Sequence, residues 1–211
     1  APWSKLPVAE PAPAEPIIDI HQHTNYRDRT NATLLHHQRT MGVTQTILLP
    51  AGSEVRRPST NDGQYNGLGG AKAGGNESVL AMSREHPGEF YFGANEVTDL
   101  PEAIDEITKY LDQGAIIIGE QKFSVECDSR ESQRLYALAG ERRVPILLHF
   151  QHGTYNRGFE RFGEMLKKYP QTTFIGHAQT WWANIDKNHA DQSVLYPKGP
   201  VTAGGWTDRY L

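Results

Sequence analysis

At 211 residues the chain is long enough for one domain with a sizeable buried core. Its formal net charge of −4 and pI near 6.1 arise from dispersed charges, so no basic block speaks for nucleic acid or an anionic membrane surface. Apolar runs such as 115–118 and 146–148 are far too short to span a bilayer, and a single cysteine, Cys127, excludes an internal disulfide and a thiolate zinc cluster. Any metal must be bound by His, carboxylate or Lys, and the expected partner is a small-molecule substrate.

The chain opens on Ala1, Pro2 and Trp3, and residues 7–16 read as an extended, proline-spaced tether. The expected organisation is a tether over 1–16 and one domain over 17–211. An opening without Met fits a mature exported chain, periplasmic or secreted, and equally an expression scar on a cytoplasmic one.

From there, short β-branched runs alternate with amphipathic segments. Residues 17–23 form the first expected strand, followed by a helix near 31–41 that stops at Gly42. The second strand spans 44–49 and ends at Pro50. A polar, glycine-rich stretch over 51–75 precedes a helix near 77–86, and the third strand covers 90–95. Pro101 suits the first turn of the next helix, where Ile104, Ile107 and Leu111 share a face before Gly114. The fourth strand is 115–122; Asp128 and Glu131 then have capping-box spacing for a helix reaching Arg142. The fifth strand is 144–149, a helix carrying Phe159, Phe162 and Leu166 follows, and the sixth strand is 172–177. Apolar strands alternating with helices indicate a parallel sheet covered on both sides. On this pattern alone, a (β/α)₈ TIM barrel and a doubly wound open sheet both remain open.

The histidines bear on that choice. His21, His149 and His177 each sit at or near the C-terminal end of an apolar run, and His23 follows two residues after His21. Residues two apart in a strand point to the same face, so Asp19, His21 and His23 project together. Barrel active sites lie at the C-terminal strand ends, so three strands aim imidazoles at one mouth. Taken singly, a His-x-His or a lone strand histidine is more often structural; the set points to a metal. His36, His37, His86 and His189 read as surface, packing or helix-end residues, while His152 is a candidate for the pocket lining. On the fourth strand Glu120 and Lys122 share a face. Burying them only as an ion pair is costly, whereas a cation offsets the carboxylate's desolvation. Glu120 becomes the expected carboxylate ligand, with Lys122 as pocket lining or substitute ligand.

Asp19-Ile20-His21-Gln22-His23 resembles the D-x-H-x-H signature of the amidohydrolase superfamily, and Gly119-Glu120, Leu148-His149 and Gly176-His177 resemble its strand-four, strand-five and strand-six positions. The likeness runs from Ile17 to about Trp182 and is most similar to the amidohydrolase 2 branch. The resemblance implies a TIM barrel in which His21 and His23 bind a divalent metal, most simply zinc. Glu120 then binds or bridges it, and His149 and His177 complete the site or contact substrate. It also implies an aspartate after strand eight as ligand and general base, and no such strand is visible here.

Neutral imidazoles with one carboxylate suit Zn²⁺ while leaving a position for water. A neighbouring group must accept the proton; Asp19 either orients His21 or serves the barrel floor. Among softer features, 67–75 is a mobile flap or a disordered insertion. Trp181 is the expected substrate contact of the Trp181-Trp182 pair, and Arg56-Arg57 is a carboxylate fork or an exposed charged pair. Three functions fit: a metal-dependent hydrolase of a C–O, C–N or related bond, a non-oxidative decarboxylase of an aromatic or unsaturated acid, and a non-catalytic metal- or ligand-binding barrel. Six strands are fewer than a full barrel has, so a continuation past Leu211, or a separate segment, is expected to close it. Asp186, Asp191 and Asp208 are the fallback bases.

Overall fold

The computed structural model describes residues 15–53, 67–188 and 200–211; most of the expected tether, together with Arg56, Arg57, His189 and Asp191, lies outside the described residues. In chain order the strands are β1 (Ile17–Gln22), β2 (Val43–Leu48), β3 (Phe90–Phe92), β4 (Ile118–Gln121), β5 (Ile146–His149) and β6 (Phe174–His177). Between them run α1 (Asn31–Thr40), the short α2 (Gly67–Gly70), α3 (Asn76–Glu85), α4 (Ala103–Leu111), α5 (Arg130–Arg142) and α6 (Phe162–Lys168). Two further short helices follow β6: α7 (Gln179–Ala183) and α8 (Trp206–Tyr210). None of the described helices is long and apolar enough to cross a membrane.

Two parallel sheets, β1-β2-β3 and β4-β5-β6, are joined at their inner edges. Ala94 donates its N–H to Ile117 O at 2.9 Å, and Gly119 donates to Ala94 O at 2.9 Å. Six parallel strands therefore stand side by side in sequence order. A doubly wound sheet would reverse that order at a switch point, so the arrangement is the wall of a TIM-barrel-type α/β fold.

Strand parity sorts the apolar residues into two layers. Leu48, Phe90, Ile118, Ile146 and Leu148 belong to the main core with Val79, Ile107, Leu135 and Phe162 from the helices. A smaller cluster of Leu49, Ile117 and Leu147, flanked by Ile47 and Ile175, fills the inner side. Two residues further along the same parity stand His149, after Leu147, and His177, after Ile175. The alternation that builds the inner core thus delivers the polar residues to the strand ends.

Local chemistry sets several boundaries differently from expectation. Helix α5 is capped by the hydroxyl of Ser129, which accepts from Ser132 N at 3.1 Å. The expected capping box is not used: Asp128 instead takes the guanidinium of Arg161 at 2.8 Å. Helix α4 begins at Ala103, leaving Pro101 in the preceding turn. The stretch 67–75 is not a loose flap: Leu68 and Ala73 are buried with Ala51, and the partly buried Tyr26 packs on them.

Exposure changes across the wall. Every residue of β4 and β5 is buried, whereas on β1 Ile17, Ile18 and Ile20 are 50%, 53% and 45% exposed. Among the described residues β1 pairs with β2 alone and β6 with β5 alone.

Candidate metal centre

All four strand-end histidines gather around one carboxylate. Glu120 lies on β4, buried and central. Its Oε1 is 2.5 Å from His149 Nδ1 and 3.7 Å from His177 Nε2, and its Oε2 is 3.1 Å from His21 Nε2 and 3.3 Å from His23 Nε2. His21 and His23 approach to 3.2 Å between their Nε2 atoms, and the His21 and His177 rings lie 4.3 Å apart. The first and the last strand thus meet at the site.

Two glycines make this convergence possible. A Cβ on Gly119, which has φ +126°, would fall 2.7 Å from Leu147 O, so only glycine lets β4 run this close to β5 just before Glu120. A Cβ on Gly176 would collide with the indole of Trp181, 2.2 Å from its ring. The Gly-His pair of β6 therefore combines a strand-end imidazole with a seat for an aromatic side chain.

Hydrogen bonding decides which nitrogens are free. His23 Nδ1 lies 2.7 Å from Leu49 O. A carbonyl only accepts, so Nδ1 carries a hydrogen and Nε2 is the nitrogen turned to the cluster. His23 Nε2 faces a carboxylate oxygen at 3.3 Å and the His21 nitrogen at 3.2 Å. Three donor atoms (His21 Nε2, His23 Nε2 and Glu120 Oε2) form a nearly equilateral triangle with sides of 3.1, 3.2 and 3.3 Å. Tetrahedral Zn²⁺ with bonds of about 2.0–2.1 Å requires donors about 3.3–3.4 Å apart. Donor atoms of His21, Glu120 and His177 also lie within 4.8 Å of one another. Chemistry and spacing fit a divalent cation.

The protonation pattern agrees. Burial pushes the Glu120 carboxyl up, but hydrogen bonds from His149, His21 and His23 outweigh it and hold it well below the usual carboxylate range. Burial lowers His149 despite its bond to Glu120. Burial, with His21 next, brings His177 down to about 4. The cluster therefore holds an ionised carboxylate beside neutral imidazoles at His149 and His177, which suits a metal cation.

The remaining expected residues fall into different places. Asp19 is bonded within and beside β1. Its oxygens accept from the His21 main-chain N–H at 3.0 Å, Gln22 Nε2 at 2.8 Å and Gln38 Nε2 at 2.8 Å, rather than from an imidazole. Trp181 packs on Phe150, Phe159 and Phe162, and Trp182 is the indole beside His177, with ring centres 5.9 Å apart. His152 is exposed in the turn after β5. Lys122 Nζ sits 5.5 Å from the Tyr155 ring centre, close enough for its charge to depress both His149 and His177. Asp186 accepts from Asn188 N and Thr202 N, and Asp208 from Gly204 N. Sequence reasoning missed the Leu49 carbonyl, and Gln151, whose Oε1 lies 3.3 Å from His149 Nε2. Neither carries a motif; the carbonyl is signalled only by the pairing of β1 with β2.

No family model matches the sequence, and no curated protein matches it. Solved structures do. An uncharacterized TIM-barrel protein from Bordetella bronchiseptica superposes with a TM-score of 0.58 at 16% identity, over 77% of this chain and 66% of its own. A 2,6-dihydroxybenzoate decarboxylase complexed with 2,6-dihydroxybenzoate gives 0.55 at 11% identity, over 89% and 76%. A provisionally assigned amidohydrolase from Staphylococcus aureus gives 0.51 at 15%, over 77% and 67%. At these identities the likeness establishes the TIM-barrel fold, and the chain spans about two thirds to three quarters of its neighbours' length.

Proposed function

We propose that the chain is a metal-dependent hydrolase of amidohydrolase type, in the amidohydrolase 2 branch, cleaving a C–O, C–N or related bond of a small molecule. His21, His23 and Glu120 hold the cation, Zn²⁺ in the first instance, with His149 and His177 beside them. The observation that carries this reading is the near-equilateral triangle of His21 Nε2, His23 Nε2 and Glu120 Oε2, with sides of 3.1, 3.2 and 3.3 Å, close to the donor spacing of about 3.3–3.4 Å that a tetrahedral divalent cation would need. Bound there, a divalent cation supplies Lewis-acid polarisation of a substrate carbonyl and acidifies water. His23 stays in its tautomer through Leu49 O. His177 is the most exposed of the four imidazoles at 30%, which suits it to hold and pass a proton at Nε2. His149, bonded to Glu120, orients the carboxylate.

Metal analysis of zinc-reconstituted protein should find one equivalent in the wild type and none in a His21→Ala/His23→Ala double variant. Full retention by the double variant would sink the assignment.

A second reading, non-oxidative decarboxylation of an aromatic or unsaturated acid, draws support from Trp182 standing edge-on to His177 and from Lys122. Among the described residues Lys122 has no carboxylate partner. An aromatic wall with a cation beside it suits an aromatic carboxylate. Release of CO₂ from 2,6-dihydroxybenzoate would favour it over hydrolysis; metal uptake without either turnover would favour a non-catalytic barrel.

A further inference from the structure

Beyond the ends of the strand ladders, side-chain amides take over the bonding between strands. Asn95, three residues past β3, is fully buried. Its Nδ2 donates to Pro50 O at 2.9 Å and to Glu120 O at 2.8 Å, and its Oδ1 accepts from Gln121 Nε2 at 2.5 Å. Asn76 brackets the Asn95 main chain, accepting from its N–H at 3.0 Å and donating to its carbonyl at 2.8 Å. Gln121 is held in turn by Thr98, whose hydroxyl donates to Oε1 at 2.7 Å. Asn156, also buried, donates through Nδ2 to Gln121 O at 2.6 Å and to His149 O at 2.9 Å. The Asn95 and Asn156 amides therefore each donate two bonds, and each of the two spans two strand ends.

The carbonyls that these amides grip are not arbitrary. Two belong to Glu120 and His149, whose side chains form the buried half of the candidate centre. A third belongs to Pro50, next to the Leu49 carbonyl that fixes His23. We infer that Asn95 and Asn156 are positioning residues: by clamping the main chain of Glu120 and His149 they set the separation of the donor atoms. A main-chain shift of a few tenths of an ångström passes directly to Glu120 Oε1 and His149 Nδ1, which stand at 2.5 Å. The inference rests on the reading that this cluster holds a divalent cation.

Cobalt(II) separates positioning from plain structural support, because its visible absorption reports ligand geometry. Asn156→Gly deletes one amide while suiting the left-handed backbone there (φ +44°), and Asn95→Ala deletes the other. Tyr136→Phe, which removes a buried bond to Cys127 O at 2.8 Å remote from the cluster, is the control. Both amide variants should bind Co²⁺ about 10–100-fold more weakly with an altered absorption band, as expected for groups that orient ligands. The control should melt earlier with affinity and spectrum unchanged. Should Asn95→Ala fail to fold, Asn156→Gly still gives the answer, since it leaves every bond of Asn95 in place. Co²⁺ binding by Asn156→Gly within twofold of wild type, with an unchanged spectrum, overturns the inference alone. A wild type that takes up no Co²⁺ overturns the metal reading and the inference with it.

Discussion

Central and edge strands contribute to the same cluster on different terms. Glu120 and His149, on β4 and β5, have side chains only 2% and 5% exposed; β5 lies between β4 and β6, and β4 between β5 and the Ala94 bridge just beyond β3. His21 and His177, on β1 and β6, are 23% and 30% exposed, and each strand has one paired neighbour among the described residues. The centre of the wall therefore fixes donor positions by packing and main-chain bonds, while the edges bring donors that more of the solvent reaches. A site built this way has a rigid floor and a more accessible rim.

The largest contrast should appear in the inner core. Leu147 on β5 is buried with Leu49 and Ile117 and has no exposed side to relax into. Leu147→Ala should cost about 2–5 kcal/mol in urea unfolding, the range for a buried leucine truncated in place. A loss under about 1 kcal/mol would mean that the inner cluster is loosely packed and that the floor is no firmer than the rim.

Acidification sharpens the comparison from the rim. For His177 the folded-state pKa, about 4, lies below the ordinary 6.5, so as pH falls the unfolded chain takes up the proton first. Its contribution to stability is present above about 6.5 and is lost as pH drops towards 4. His149 shifts in the same direction. Glu120, held well below 4.5, adds a further loss that begins only under that value. Metal-free protein should therefore melt at progressively lower temperature from about pH 6.5 downwards, and His177→Gln should flatten the upper part of that slope. A melting temperature constant between pH 6.5 and 5 would contradict the buried, neutral state of these imidazoles.

Much of this was legible in the sequence because it follows from parity. Histidines two residues beyond inner apolar positions must face inward, and the glycine before Glu120 marks close backbone approach. The six strands follow from periodicity, and the inward turn of His149 and His177 from their parity with Leu147 and Ile175, whereas the strand order, which the pattern alone leaves open, is settled by the bonds of Ala94 to Ile117 and Gly119. What stayed hidden depends on contacts between distant segments. Nothing in its spacing says that Asp19 is consumed by Gln22 and Gln38, or that Trp182 rather than Trp181 turns to His177. Asn95, the last residue of the expected third strand, and Asn156 carry no motif in the sequence, and the partners of Asn95 lie 25 to 45 residues away. The serine cap of α5 displaced a capping box of equally good spacing, a choice that the pairing of Asp128 with Arg161 across 33 residues decides.

The smallest effect on folding should come from the outer face of β1. Ile18 and Ile20 share the strand parity opposite to His21, and about half of each side chain is exposed. Little burial is therefore lost when the side chain becomes polar, and threonine keeps the β-branched shape that suits a strand. Ile18→Thr should change unfolding free energy by no more than about 0.5 kcal/mol, as for surface substitutions generally. The same substitution should reduce self-association in sedimentation, because three exposed isoleucines along a strand with one paired edge make an adhesive surface. A loss above about 1.5 kcal/mol, far beyond a surface change, would show instead that this face is covered in solution. The edge would then be as well packed as the centre, and the division into floor and rim would fail.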